Sequence, residues 1–288
     1  MPGRLENKVA IVTGASSGIG RAISFHYSRE GARVVCADIS SDTLYDRCDE
    51  ETRGRTHDRI IEDGGEVIFV HVNVSDSGQM RSLVEEAVLE YGRLDIMVNN
   101  AGIGVIDPQP IWDMKEEAWD RMQDVNSKGV FLGVKYASKQ MLDQEPHSSG
   151  ERGWIINAAS INGFMGQTLA SDYCAAKGLV VNLTKAAALD CAPHRIHVNA
   201  FAPGYTGTSM TLDHFEDAQK REMLSRMHPL RGLGRPDDLA KVCVFLASDE
   251  AQWVTGVSSA NAALGDEDNA DSTKVTIPVD GGYTAGRF

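Results

Sequence analysis

Seven short runs of apolar, largely β-branched residues punctuate the chain: KVAIVTG, ARVVCAD, EVIFVHV, LDIMVNN, GWIINAAS, RIHVNAFAPG and KVTIPVDGG. Each is nearly continuous in hydrophobicity rather than alternating, and each ends in small or polar residues. Strands of that kind are buried on both faces, as in a parallel sheet covered by helices on each side. The stretches between them have the spacing of helices, at about 18–30, 42–63, 77–91, 112–144, 172–192 and 237–249. This alternation predicts one α/β domain over 1–288: a doubly wound, Rossmann-type parallel sheet of about seven strands, with ligands at the carboxyl ends of the strands.

The pattern breaks in two places. The segment near 40–60 is long and heavily charged for one crossover helix, and 257–275 is polar and acidic, so both are expected to be insertions. Asp266, Glu267, Asp268 and Asp271 lack the glycine and distal glutamate of a calcium loop and read as a solvated loop.

Composition narrows the function. Of 288 residues, 28 are Lys or Arg and 41 are Asp or Glu, a formal charge of −13. Nucleic acid demands a basic footprint, and anionic membrane surfaces attract basic segments, so neither is an expected partner. There is no apolar run of membrane-spanning length and no apolar leader at the N-terminus, and the five cysteines include no C-x-x-C pair. A soluble, cytoplasmic protein is expected. His71, His147, His194, His197 and His228 show no metal-like spacing and are expected to be structural or exposed, and no metal is predicted.

Candidate chemistry begins with TGASSGIG, Thr13 to Gly20, which leaves the first strand and opens the first helix. Glycines there let backbone N–H groups approach a phosphate at the positive end of the helix. Asp38 ends the second strand, where a carboxylate would accept from ribose hydroxyls and repel a 2′-phosphate. Ser16, Ser17 and Ile39 offer that phosphate no positive charge, so the expected cofactor is NAD rather than NADP. In SDYCAAKG, Tyr173 and Lys177 are four residues apart and leave one helix face. A free phenol has a pKa of about 10, and bringing it near 7 takes about 4 kcal/mol of preferential phenolate stabilisation. The neighbouring ammonium of Lys177 is expected to supply much of that.

TGASSGIG, NNAG (Asn99 to Gly102), Asn126, Ser160, Tyr173-x-x-x-Lys177 and Pro203-Gly204 occur in the order of the single-domain short-chain dehydrogenases/reductases, which the chain resembles over nearly its whole length. The resemblance implies an oxidoreductase that interconverts a secondary alcohol and a ketone by hydride transfer. Asn126, Ser160, Tyr173 and Lys177 would be its catalytic residues and Tyr173 its general acid/base. It places Gly14, Ser16, Ser17, Gly18, Ile19 and Gly20 at the pyrophosphate, and Asp38, Ile39, Asn73, Val74, Asn99, Ala101 and Gly102 on the adenosine side. Tyr173, Lys177, Pro203, Gly204, Thr206 and Thr208 would hold the nicotinamide half. Asn73 stands where the family usually has an aspartate, which implies weaker selection of adenine.

A substrate lid is expected at 209–234, with Met210, Leu212, Phe215, Met223, Leu224 and Met227 as its apolar positions. Trp112, Phe164, Met165 and Gln167 are expected to border the pocket. The family further implies a homotetramer or homodimer. Two rival readings share the fold: a catalytically silent dinucleotide-binding regulator, which should have lost the tyrosine or lysine, and a dehydratase or epimerase.

Overall fold

All five residues of the strand Val9–Thr13 (β1) are buried, as its unbroken apolar run requires. It lies in a parallel sheet with Arg33–Asp38 (β2), Val67–His71 (β3), Ile96–Asn99 (β4), Gly153–Ala158 (β5), Ile196–Pro203 (β6) and Ile277–Val279 (β7). The strand order is β3-β2-β1-β4-β5-β6-β7, with Ile11 level with Val35 on one side and Met97 on the other. The order reverses between β1 and β4, and such a switch point opens a crevice at the carboxyl ends of the strands. The structure, a computed structural model, describes residues 2–42, 54–211, 217–230, 232–256, 277–280 and 283–285.

The helices are Gly18–Arg29 (α1), Thr56–Glu62 (α2), Ser77–Tyr91 (α3), Glu116–Gln123 (α4), Gly129–Asp143 (α5), Ser171–Cys191 (α6), Ala218–Arg226 (α7) and Pro236–Leu246 (α8). Ile11, Val35, Met97, Ile155 and Val198 pack on the face covered by α3, α5 and α6, while Ala10, Val12, Val34, Ile156 and Phe201 pack on the face of α1 and α8. Local signals set the helix ends. The Asp76 carboxylate accepts from the Gln79 N–H (2.9 Å) to start α3, and Gly92, at φ 82°, closes it. Pro236 opens α8 at a position where a missing N–H costs nothing.

Two helices differ from expectation. The stretch 42–63 is helical only over Thr56–Glu62 among the described residues, and 43–53 lies outside them. The long helix at 112–144 starts at Glu116 and is interrupted by a π-helical turn, Asp124–Lys128, between α4 and α5. The acidic stretch 257–275 also lies outside the described residues.

Below the strands, opposite the crevice, buried charges are paired. The Asp95 carboxylate accepts from the Val9 N–H (2.9 Å), from Arg93 Nε (2.7 Å) and from His147 Nε2 (2.7 Å). The Lys8 ammonium donates to the Ala247 carbonyl (2.9 Å) and to Asp249 (3.1 Å), and sits 3.4 Å from the centre of the buried Trp154 ring. No described helix is long and apolar enough to cross a membrane.

Candidate active site

The glycine-rich turn is shaped by close approach. Gly14 (φ +68°) and Gly18 (φ +52°) have backbones that side chains rarely adopt. A Cβ on Gly20 would lie 2.2 Å from the Gly14 carbonyl oxygen, and one on Gly14 would lie 2.9 Å from the Ala101 Cα. Ser17 makes no side-chain cap on α1, so its hydroxyl does not occupy the N–H groups of the first turn. That is a cradle for a phosphate: free donors, no Cβ in the way, and the positive end of a helix.

The turn is fixed from both sides. Thr13 Oγ1 donates to the Val98 carbonyl (3.1 Å) and accepts from the N–H groups of Asn100 and Ala101 (both 3.0 Å). Asn100 Nδ2 returns a bond to the Thr13 carbonyl (3.0 Å). On the other side, Asp38 Oδ2 accepts from the Ser16 N–H (2.9 Å) and Oδ1 from the Ile39 N–H (2.7 Å). Asp38 is partly exposed at the end of β2, and Ile39 is exposed beside it.

Asn99 departs from the expected adenosine contact. Its side chain is buried in the core, where Nδ2 donates to Asn157 Oδ1 (2.9 Å) and Oδ1 lies against Gly133. Asn157 Nδ2 in turn donates to Thr184 Oγ1 (3.0 Å), so the amide ties β4 and β5 to α6 rather than facing the crevice. The Asn73 amide oxygen accepts from the Ser75 N–H (3.1 Å) and hydroxyl (2.8 Å), forming the turn before α3, and Val74 is buried against Gly129.

The four expected catalytic residues come together. Ser160, at the end of the β5 segment, is buried and hydrogen-bonds Tyr173 on α6. Lys177, one turn on, is buried; its Nζ donates to the Ala158 carbonyl (2.8 Å) and lies 5.7 Å from the Tyr173 ring centre. Asn126 is fully buried in the π-helical turn, clasped both ways by Ile103, whose N–H it accepts and whose carbonyl it donates to (both 2.8 Å). A Cβ on Gly102 would lie 3.1 Å from Asn126 Oδ1 and 3.8 Å from Lys177 Nζ, so lysine and amide face each other across that glycine.

The electrostatics differ from expectation. Burial pushes the Tyr173 phenol above its ordinary value, and the Ser160 hydrogen bond only partly offsets it. Burial also pulls Lys177 down to about 8. Instead of the Lys177 ammonium lowering the phenol, Nζ is turned to the Ala158 carbonyl and desolvation dominates.

Pro203, Gly204 and Thr206 leave β6 beside this group, and Thr208 reaches back over the turn, its Cγ2 only 3.2 Å from where a Gly18 Cβ would be. Of the segment expected to form a lid, Met210 lies against Gly104, Leu224 is the buried residue of α7 and Met223 is exposed; Leu212 and Phe215 fall outside the described residues. Trp112 and Met165 are exposed, Phe164 packs on the core, and Gln167 accepts from the amide of Asn162. His228, expected to be structural or exposed, is buried against Gly204 and Tyr205. Thr13, Asn100, Asn157 and Thr184 join the site without having been expected there; a hydroxyl ending β1 and the doubled asparagine of NNAG are the signals the sequence holds for the first two. No group of three potential metal ligands occurs among the described residues.

A doubly wound sheet with a glycine turn at its switch point and a Ser–Tyr–Lys group at its carboxyl edge defines a dinucleotide-linked oxidoreductase. Comparison with known proteins agrees. Residues 14–261 match the family model described as enoyl-(acyl carrier protein) reductase. The 3-oxoacyl-[acyl-carrier-protein] reductase FabG of Thermotoga maritima is 39% identical over 253 residues, 88% of this chain and 95% of that protein. A short-chain type dehydrogenase/reductase from Mycobacterium marinum, of known crystal structure, is 33% identical with a TM-score of 0.80, covering 98% of this chain and 97% of its own. A crystal structure from Agrobacterium tumefaciens, proposed as a 2-deoxy-D-gluconate 3-dehydrogenase and carrying NADP, is 32% identical with a TM-score of 0.79 and covers 98% of each chain. The chain belongs to the short-chain dehydrogenase/reductase family and is an oxidoreductase acting on CH–OH groups.

Proposed function

We propose that the protein interconverts a secondary alcohol and a ketone with a nicotinamide dinucleotide, Tyr173 exchanging the proton with the reacting oxygen. The convergence of Ser160, Tyr173 and Lys177 at the edge of a phosphate cradle carries this reading. The cradle suits the cofactor's pyrophosphate: the N–H groups at Gly18, Ile19 and Gly20 would hold it, Gly14 and Ser16 would shape the turn, the latter through its bond to Asp38, and Lys177 and Thr206 would hold the nicotinamide half. The bound cofactor supplies or accepts the hydride. A phenol pushed above its ordinary value is protonated at neutral pH, which suits it to donate to a ketone oxygen. Ser160 is placed to donate to the same oxygen as charge develops on it.

Asp38 supports NAD, because its carboxylate repels a 2′-phosphate, whereas the NADP in the Agrobacterium relative weighs the other way. The resemblance to the Thermotoga reductase supports a 3-oxoacyl group as the ketone. The exposed apolar Ile106, Ile111 and Trp112 in the loop after β4 and Met210 opposite offer surface for an acyl chain. Exposed Trp119, Phe131, Leu142, Leu179 and Leu189 on α4, α5 and α6 support self-association. The test is the near-ultraviolet absorbance of reduced nicotinamide with 3-oxoacyl thioesters and a panel of ketones and secondary alcohols. Tyr173→Phe is expected to keep dinucleotide affinity within about twofold while turnover falls by ~10²-fold or more. Undiminished turnover would remove Tyr173 from the chemistry.

A further inference from the structure

His228 follows the lid helix α7 and is buried at the point where three segments meet. Its Nδ1 lies 2.7 Å from the Leu224 carbonyl, and its Nε2 lies 3.1 Å from the Tyr205 nitrogen. These partners determine the ring's state. A carbonyl only accepts, so Nδ1 carries the hydrogen; a backbone N–H only donates, so Nε2 is bare. The imidazole is therefore neutral, in one tautomer, and joins the lid helix to the loop that leaves β6. A Cβ on Gly204 would lie 2.7 Å from Nε2 and 2.9 Å from the Asp280 Cβ, so the loop threads between the histidine and the end of β7. Tyr283 packs on the ring at 4.9 Å and Tyr205 meets it edge-on at 5.9 Å.

We propose that His228 is a positioning residue for the cofactor. Its bare Nε2 fixes Gly204 and Tyr205, and through them Thr206, against the segment that carries α7. Imidazolium would present an N–H to the Tyr205 N–H, leaving two donors facing each other in a buried site. Among the described residues the other titratable groups around the ring are Tyr205, Tyr283 and Asp280. Both phenols are pushed up by burial, and the Asp280 carboxylate accepts from the Thr284 N–H (3.0 Å) and hydroxyl (2.6 Å). The inference rests on the functional reading above, in which this loop holds the nicotinamide half.

Two substitutions separate the two hydrogen bonds. In His228→Gln the amide oxygen can replace Nε2 as acceptor for Tyr205; in His228→Asn the amide nitrogen can replace Nδ1 as donor to Leu224, and the acceptor is lost. NADH and NADPH are titrated by fluorescence into the purified full-length wild type and both variants, with thermal unfolding as a folding control. The Kd of the dinucleotide that the wild type prefers is expected to rise at least ~10-fold in His228→Asn and to stay within ~2-fold in His228→Gln. A His228→Asn variant that binds like the wild type, or a His228→Gln variant that loses affinity as much as His228→Asn does, overturns the proposal. Should His228→Asn fail to fold, His228→Gln decides alone: a Kd within ~2-fold of the wild type supports the acceptor role of Nε2, and a rise of ~10-fold overturns it. A wild type that binds neither dinucleotide overturns the functional reading and this inference with it.

Discussion

Lys177 shows the cost of placing a cation where chemistry needs it. Its side chain is buried, with the Ala158 carbonyl as its hydrogen-bond acceptor, and burial holds it at about 8 against an ordinary 10.5. Keeping it charged at neutral pH therefore costs about 3 kcal/mol relative to the unfolded chain. Lys177→Met removes that cost and gives up one hydrogen bond worth about 1 kcal/mol. The variant is expected to unfold at a higher temperature than the wild type near pH 7 while turnover falls ~10²-fold or more. A folded-state value below the unfolded one penalises the protonated lysine, so the gain should be full below about 8 and vanish as pH rises toward 10.5. Unfolding scans across that range, beside initial rates, check both the sign and its pH dependence. The four-residue spacing of Tyr173 and Lys177 was legible in the sequence because it follows from helix geometry. The rise in the phenol's pKa was not, because desolvation depends on how much of the cleft is closed by neighbours distant in the chain.

Among the elements, the end of β2 and the glycine turn act as one piece. The place of Asp38 at the strand end marks it as a candidate ribose contact. The structure adds a second duty, because both its oxygens already accept backbone N–H groups, from Ser16 in the turn and from Ile39. Asp38→Ala is accordingly expected to weaken NAD binding by about tenfold through the loosened turn, and to raise the ratio of NADP to NAD kcat/KM by removing a negative charge. Steady-state kinetics with both cofactors measure each effect, and an unchanged ratio would leave Asp38 with its bracing role alone. Asn99 shows the converse. The NNAG motif was legible, but which of its two amides faces the crevice depends on strand phase: Asn99 turns into the core toward Asn157, while Asn100 braces the turn through Thr13. Asn157 and Thr184, more than 25 residues apart, carry no local pattern that announces their bond.

For the whole molecule, the parallel sheet and its two covering layers were legible in seven apolar runs, since buried parallel strands leave a composition that few other structures share, whereas the strand order comes from the structure alone. The charged floor beneath those strands left no such trace. Removal from water pushes the Asp95 carboxyl up, yet His147, the Val9 N–H and Arg93 together hold it below its ordinary value. A folded-state value below the unfolded one stabilises above about pH 4, and that contribution disappears as pH falls further through the folded value. Asp95→Asn is expected to cost about 3 kcal/mol near pH 7, and the gap from wild type should narrow below about pH 4. Urea unfolding at pH values on both sides of that range measures it. The π-helical turn at Asp124–Lys128 also reaches beyond its own five residues. One surplus residue advances a helix by about 100°, so the two halves of this long rod do not share an azimuth. The first half turns toward α6 and the second toward β4 and β5, and deleting any one residue between them would force both halves to compete for the same side of the molecule.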